Sequence, residues 1–348
     1  MSGVAQASLP AVKVTALHFC LKCTTIAFKP SIAMTKVDCL GFGLVTHDRI
    51  LFLKKFPQPN QKLVVQESSE QAGGPVAVGL MTMAALGLRV HWGLPLADDP
   101  HALFVKAQFQ RMKIFFEEES PTQNSSLTPE AIILVDRKTG ARTVLLQSQP
   151  NHHYDSYEHM LARSPEAEWL YCDGRDAALV LALKNSTKSK NAKLFFDLGS
   201  LRPHWQELIA GSAIVIVSDD FMQQLDPALQ PEKMLHLLAD CGVAISGITL
   251  GREGSMFLQE RECLRVPAAL RENIVDATNA GDVFHGAFLA AWIKTQSVAR
   301  SGSFASLCAA WITAQAGHNL LNFDASLRQE FLELNSDGAN PNKKDEPD

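Results

Sequence analysis

The chain has 348 residues, 46% of them hydrophobic and 20% charged, with a net charge of -5. That balance fits one large α/β domain with an addition, or two domains, and supplies no basic face that would expect nucleic acid as a partner. No run of about 18 apolar residues is free of charge, so no membrane span is expected. The seven cysteines are scattered and read as thiols of a reducing cytosol rather than a disulfide framework.

Residues 1–33 differ in character from the rest of the chain. Lys13, Lys22 and Lys29 interrupt the apolar residues, and no acid occurs before Asp38. This is a poor secretory signal. A transit-like segment and an extension upstream of a true start at Met34 both stay open. The second is the expectation, because Met34-Thr35-Lys36-Val37-Asp38 leads directly into a strand. Cys20 and Cys23 have Cys-x-x-Cys spacing, but no second pair or histidine cluster accompanies them, so the spacing is read as chance.

From Val37 the signals alternate. Cys39 to Val45 reads as a buried strand, and Ile50, Phe52 and Lys54 as an alternating one. Phe56-Pro57-Gln58-Pro59-Asn60 breaks the chain before Leu63-Val64-Val65 resumes it. Gly73-Gly74-Pro75 precedes a helix from Val76 to Leu86, closed by Gly87. A strand over 89–93 and a helix over 100–112 come next. Two β-rich runs, 131–136 and 142–146, join through Lys138-Thr139-Gly140, a hairpin signal. Strands are expected at 169–172, 193–197, 213–217 and 242–250, separated by helices at 175–185, 203–210, 219–226 and 231–240. This alternation predicts a mostly parallel sheet covered on both faces. Helices at about 280–296 and 302–317 close the fold, and the polar tail 335–348 is expected to be disordered.

Few stretches carry chemistry. Gly41-x-Gly43 lacks the third glycine and the helix of a dinucleotide fingerprint. Asp48, placed just past a central strand, is expected to point into the ligand crevice of the sheet. There is no Gly-x4-Gly-Lys-Ser/Thr and no protein-kinase signature. The eleven histidines form no zinc motif; His152, His153 and His285 are expected to be solvated or behind a site. The informative stretch is Asp276-Ala277-Thr278-Asn279-Ala280-Gly281-Asp282. Phe284, Ala287, Phe288 and Ala291 recur after it at helical spacing, which puts 279–281 at a helix N-terminus. Free amides and the positive end of the helix dipole make that an anion site, with Asp282 placed to hold or remove a proton beside it.

Asp276-x-Thr278-x-Ala280-Gly281-Asp282 with Phe284 and Gly286 resembles the C-terminal signature of the ribokinase-like (PfkB) carbohydrate kinases. Gly43-x4-Asp48, Gly73-Gly74, Gly140-x-Arg142-Thr143, Asp197, Arg202-Pro203 and Thr249-x-Gly251-x2-Gly254 occur in family order, over about residues 37–322. The resemblance implies a three-layer αβα fold over 37–334 with a small β-sheet lid, its strands near 49–67 and 114–147. It implies ATP-dependent phosphorylation of a hydroxymethyl group of a small sugar in the cytoplasm. Asp282 would be the general base, with Asn279, Ala280 and Gly281 as the anion hole.

By the same resemblance, Asp48, Gly73, Gly74 and Arg142 bind the substrate, and Ser218, Thr249, Gly251 and Gly254 the nucleotide. Asp276 and Thr278 form a monovalent-cation loop for K⁺, and Mg²⁺ accompanies ATP. A homodimer through the lid is expected, because a small sheet needs its apolar face covered. Three departures stand out. Pro75-Val76-Ala77-Val78 replaces a more polar sugar-gripping segment, Ser218-Asp219-Asp220-Phe221 replaces the usual Asn-x-x-Glu, and Asn279 replaces a small residue. A nucleoside or sugar-acid kinase, and a non-catalytic binding relative, remain as alternatives.

Overall fold

The computed structural model describes residues 36–117, 127–147, 157–186, 191–271 and 273–334. The N-terminal extension and the polar tail, together with Cys20, Cys23, His152 and His153, lie outside them. Strand β1 (Lys36–Phe42) opens the fold, followed by β2 (Thr46–Leu53) and β3 (Glu67–Gly73). Helix α1 (Pro75–Ala85) starts behind Gly74, whose φ of 97° is open to glycine at little cost, and has Pro75 in its first turn, where the missing N–H is not needed. Strand β4 (Val90–Trp92) leads to α2 (Pro100–Arg111), capped by Asp99, which accepts from Ala102 N at 2.9 Å. Strands β5 (Phe115–Phe116), β6 (Glu130–Asp136) and β7 (Arg142–Leu146) complete the first half.

The second half alternates as its sequence predicts. Helix α3 (Tyr157–Arg163), β8 (Glu166–Cys172), α4 (Ala177–Asn185), β9 (Lys193–Leu198), α5 (Trp205–Ile209), β10 (Ile214–Ser218), α6 (Asp219–Leu225), α7 (Pro231–Asp240) and β11 (Ile245–Thr249) run in order. A hairpin of β12 (Ser255–Gln259) and β13 (Glu262–Val266) precedes the closing helices α8 (Ala280–Thr295), α9 (Val298–Thr313) and α10 (Ala325–Glu333).

Nine strands form the large sheet in the order β13-β12-β11-β10-β9-β8-β1-β4-β5, parallel from β5 to β11 and antiparallel at β12 and β13. Ile214 to Val217 and Ile245 to Ile248 are buried without alternation, so helices cover both faces. From β1 the chain builds outward to β4 and β5, then returns to add β8 on the other side of β1. That reversal is a topological switch point, where open α/β sheets form a ligand crevice at the carboxyl ends of the strands.

A second, four-stranded sheet has the order β3-β2-β6-β7. Ile50, Phe52, Ala131, Ile133 and Val135 form its buried cluster. Its makeup differs from the expectation in two places. Leu63 to Val65 is loop, with Val64 86% exposed, and the strand is instead the polar Glu67–Gly73, held by its ladder to β2 rather than by an apolar face. Phe115 and Phe116 belong to the large sheet.

Helix α8 is buried from Val283 to Trp292 and packs on α1 and α9, which explains why it is apolar all round. It meets α1 at two glycines: a Cβ on Gly286 would lie 2.8 Å from Gly79 Cα, and one on Gly79 would strike the Tyr171 ring. We predict that Gly286→Ala lowers stability by ~1–3 kcal/mol, the usual cost of overpacking, as measured by denaturant unfolding. An unchanged midpoint would show that the two helices part freely.

Candidate active site

The N-terminus of α8 is built by a reversal of the chain. Asn279 adopts φ 61° and ψ 9°, a left-handed conformation that asparagine tolerates better than most residues, which accounts for its place where a small residue is usual. The first helical bond is Val283 N to Asn279 O, 2.9 Å. Ala280 N makes only a long 3.4 Å bond back to Ala277 O, and the amides of Gly281 and Asp282 have no carbonyl one turn behind them. Open space surrounds the position of a Gly281 Cβ. Free N–H groups thus face an opening at the positive end of a 16-residue helix.

Asp282 comes next on the same turn. Protein surrounds its carboxyl closely, yet solvent still reaches the residue, as on the floor of a cleft. Burial and then the Asp197 carboxylate push its pKa up to about 7, with His285 and Arg142 pulling the other way and Asp48 adding to the rise. Beneath it, His285 Nδ1 lies 2.8 Å from Asp197 Oδ2, both residues almost fully buried. The ring N–H is not aimed at the oxygen, so the contact is an ion pair rather than an aligned hydrogen bond. Burial works against the charged ring, but Asp197 and Asp282 outweigh it and the His285 pKa is raised. Tyr171 from β8 donates to Asp197 at 3.1 Å. His285 is therefore not solvated: it is buried between two acidic side chains that favour its charged form.

Asp48 is not at the end of a main-sheet strand. Strand β1 stops at Phe42, and Asp48 is the third residue of β2 in the small sheet. It is 3% exposed, accepts from Thr46 Oγ1, and still acts electrostatically on Asp282. Burial raises its pKa to about 6, with the Thr46 hydroxyl and the neighbouring Gln71 side chain pulling the other way. Gly73 is glycine because a Cβ there would collide with the Asp48 carboxylate, and Gly74 because one would meet Leu44 O. Val76, Ala77 and Val78 are fully buried core residues of α1, so the apolar segment does not line the crevice. Arg142 on β7 donates to Ala277 O at 3.0 Å, beside the anion loop.

Asp276 holds that loop. Its two oxygens accept from Thr278 N at 2.8 Å and Gly317 N at 3.2 Å. Thr278 Oγ1 is buried without a partner, an oxygen that fits a monovalent cation. On the other side of the crevice, Ser218 and Thr249 are register neighbours at the ends of β10 and β11. Gly251, at φ 55°, has open space around it, whereas Gly254 makes room for Val266 O and serves the fold. Ser218 Oγ caps α6 by accepting from Phe221 N at 3.0 Å and donates to Gly199 O at 3.0 Å, and Phe221 is buried edge-on against Trp205. Ser218 and Phe221 are thus engaged in the fold, while the carboxylates of Asp219 and Asp220 in the same segment stay solvent-accessible, oxygen donors of the kind magnesium takes.

Two groups at the switch point were not picked out in the sequence as site residues. Asp173 lies just past β8, receives Leu44 N at 2.8 Å, and pairs with Arg175 at 3.3 Å. Arg202 sits within electrostatic reach of Asp173 and Asp197 with its Nε unpartnered. The signal for Asp173 was the Asp-Gly-Arg run after a strand, and that for Arg202 the Arg202-Pro203 pair in family order.

The charge on Asp282 costs the fold stability. Its pKa is raised from 3.8 to about 7, so the penalty is absent below pH ~4 and grows as pH rises through ~7. We predict that Asp282→Asn unfolds at a higher temperature than the parent at pH 8 and that the gap shrinks toward pH 5. Equal gaps at both values would remove the buried charge as its cause.

With this geometry in place, comparison with known proteins is direct. Residues 34–323 match the family described as pfkB family carbohydrate kinase. The chain is 24% identical over 314 residues to the ribokinase of Haemophilus influenzae, covering 84% of this chain and 96% of that protein. It is 23% identical over 297 residues to the nucleoside kinase of Methanothermobacter thermautotrophicus, covering 80% and 90%. The solved structure of ribokinase from Giardia lamblia aligns with a TM-score of 0.71 at 16% identity, covering 86% of this chain and 99% of that one, a likeness of fold. The chain belongs to the pfkB family of carbohydrate kinases.

Proposed function

We propose that the protein transfers the γ-phosphoryl group of ATP to a hydroxymethyl group of a small sugar. The observation that carries this reading is Asp282, a carboxylate with its pKa raised to about 7, adjoining free amides at the start of α8. A base of that strength is matched to neutral pH. Asp282 takes the hydroxyl proton as that oxygen attacks, and the amides of 279–281 meet the charge that develops on the phosphoryl group. Arg142 adds a positive charge from the small sheet. Phosphoryl transfer needs mainly positioning and electrostatic stabilisation, and these groups supply both. Asp276 and Thr278 would hold K⁺, which orders the loop leading into the anion hole. Ser218, Thr249 and Gly251 line the nucleotide side, and Mg²⁺ would accompany ATP there, with the Asp219 and Asp220 carboxylates in the neighbouring segment as oxygen donors.

Asp48 recognises the acceptor, since one carboxylate accepts two hydrogen bonds from neighbouring hydroxyls. The relative named nucleoside kinase supports a nucleoside as second reading. Against it, among the described residues Phe52 is the one ring on the Asp48 face of β2 and β6, and it is packed away in the core at 1% exposure, so these two strands offer a base nothing to stack on. A homodimer through the small sheet is supported by β7, whose outer edge pairs with no strand among the described residues and which exposes Val144, Leu145 and Leu146. The cytoplasm suits a chain with five described cysteines, all free.

Release of ADP across a panel of ketohexoses, pentoses, sugar acids and nucleosides tests the reading; no turnover with any of them, alongside measurable ligand binding, would overturn it. Asp282→Asn is expected to lower turnover by ~10²–10⁴ while nucleotide affinity stays within a few-fold. In the parent, kcat/KM falls as pH drops through about 7 with protonation of Asp282, and further near pH 6 with Asp48. Sedimentation should give a dimer; a monomer at micromolar concentration would count against the lid interface.

A further inference from the structure

The alternation of β2 puts Asp48 on one face of the small sheet and His47 on the other, against α2. There His47, His101 from the first turn of α2 and Glu130 from the start of β6 each bring a donor atom within 4.8 Å of the other two. We propose that His47, His101 and Glu130 form a binding site for a zinc-class divalent cation behind the substrate-binding strand.

Three observations carry this. The first is that both ring nitrogens of His47 are buried and neither has a hydrogen-bond partner, although the residue is only 7% exposed. A buried imidazole left so costs stability, and an ion ligated by one nitrogen removes part of that cost. The second is that the donors come from three separate elements. His47 and Glu130 are register partners of the β2–β6 ladder, and the His101 ring packs on His47 with centroids 4.8 Å apart. His101 Nδ1 faces Thr128 O at 3.4 Å, the carbonyl contact by which a ligating histidine fixes its second nitrogen.

The third is chemical. Two imidazoles and a carboxylate suit zinc, and three protein ligands with one position for water or another side chain make a complete tetrahedral set. The Glu70 carboxylate, 3.8 Å from His47 Nε2, stands in reach of that fourth position. Among the described residues, Glu70 and Glu130 act on His47 in the sense that favours a cation, and Arg49 in the opposite one. Donors around zinc sit about 3.3 Å apart, given bonds of ~2.0–2.1 Å, so side-chain rotation of an ångström or so closes the set. Glu130 has only a 3.4 Å contact from Gln147 to give up. The ion would clamp β2, β6 and α2 together, fixing the strand on which Asp48 rides.

The test uses the full chain carrying Cys20→Ser and Cys23→Ser, so that the Cys-x-x-Cys pair takes no metal. After chelation and dialysis against micromolar zinc, about one ion per chain should be retained, and zinc should raise the unfolding temperature. Cobalt in place of zinc should give visible d–d bands. His101→Ala and Glu130→Gln, shown by circular dichroism to be folded, should each bind at least ~10-fold more weakly and lose the thermal shift and the cobalt bands. Retention of zinc by both variants at parental affinity overturns the site, and so does a parent that retains none.

Discussion

The ion pair between Asp197 and His285 is the interaction around which the site is assembled. Asp197 is fixed near the end of β9 and His285 one turn into α8, so the pair ties the sheet to the helix that carries the chemistry. Burying two charges gains little stability in itself, because desolvation offsets the attraction. Its contribution is orientation and potential. The imidazolium moderates the repulsion that Asp197 would otherwise exert on Asp282, and the Tyr171 hydroxyl steadies the carboxylate from the next strand. With His285 neutral or absent, Asp282 would hold its proton more tightly and be less available for the role of base proposed for it.

The surrounding packing serves the same end. The paired glycines Gly79 and Gly286 let α1 and α8 approach backbone to backbone, and α1 begins at the Gly73-Gly74 corner that also accommodates the Asp48 carboxylate. One helix contact therefore sets the spacing between Asp48 on the small sheet and Asp282 at the start of α8. The Arg142 bond to Ala277 O closes the third side, joining the small sheet to the loop that leads into α8.

Much of this was legible in the sequence, and the gaps have physical causes. The parallel sheet could be read from its uninterrupted apolar strands, and the helix start from Asn279-Ala280-Gly281 before a helical apolar pattern. Strand β3 was invisible because Glu67, Ser68, Ser69 and Glu70 carry no apolar alternation; only its pairing with β2 makes it a strand. Asp48 was noticed but misplaced, since nothing local says that the chain leaves the main sheet at Gly43. In the sequence the role of His285 stays open between a solvated residue and one behind the site. It depends on Asp197, 88 positions earlier, and spacing within one helix does not reveal a partner on a distant strand. His47, His101 and Glu130 were hidden in the same way, brought together by strand register and a helix start rather than by any motif.

The alternation of β2 has a consequence for how this chain tolerates insertions and deletions. Thr46, Asp48, Ile50 and Phe52 share one face, and His47 the opposite one. A strand has a period of two, so slipping by a single residue exchanges its faces entirely. One residue added or lost inside Thr46–Asp48 would turn the acid toward α2 and push an imidazole into the crevice, while Ile50 and Phe52 left their core. Substitutions along this strand are separate local events. A change in its length is not, because it rewrites the crevice, the core and the rear face at once.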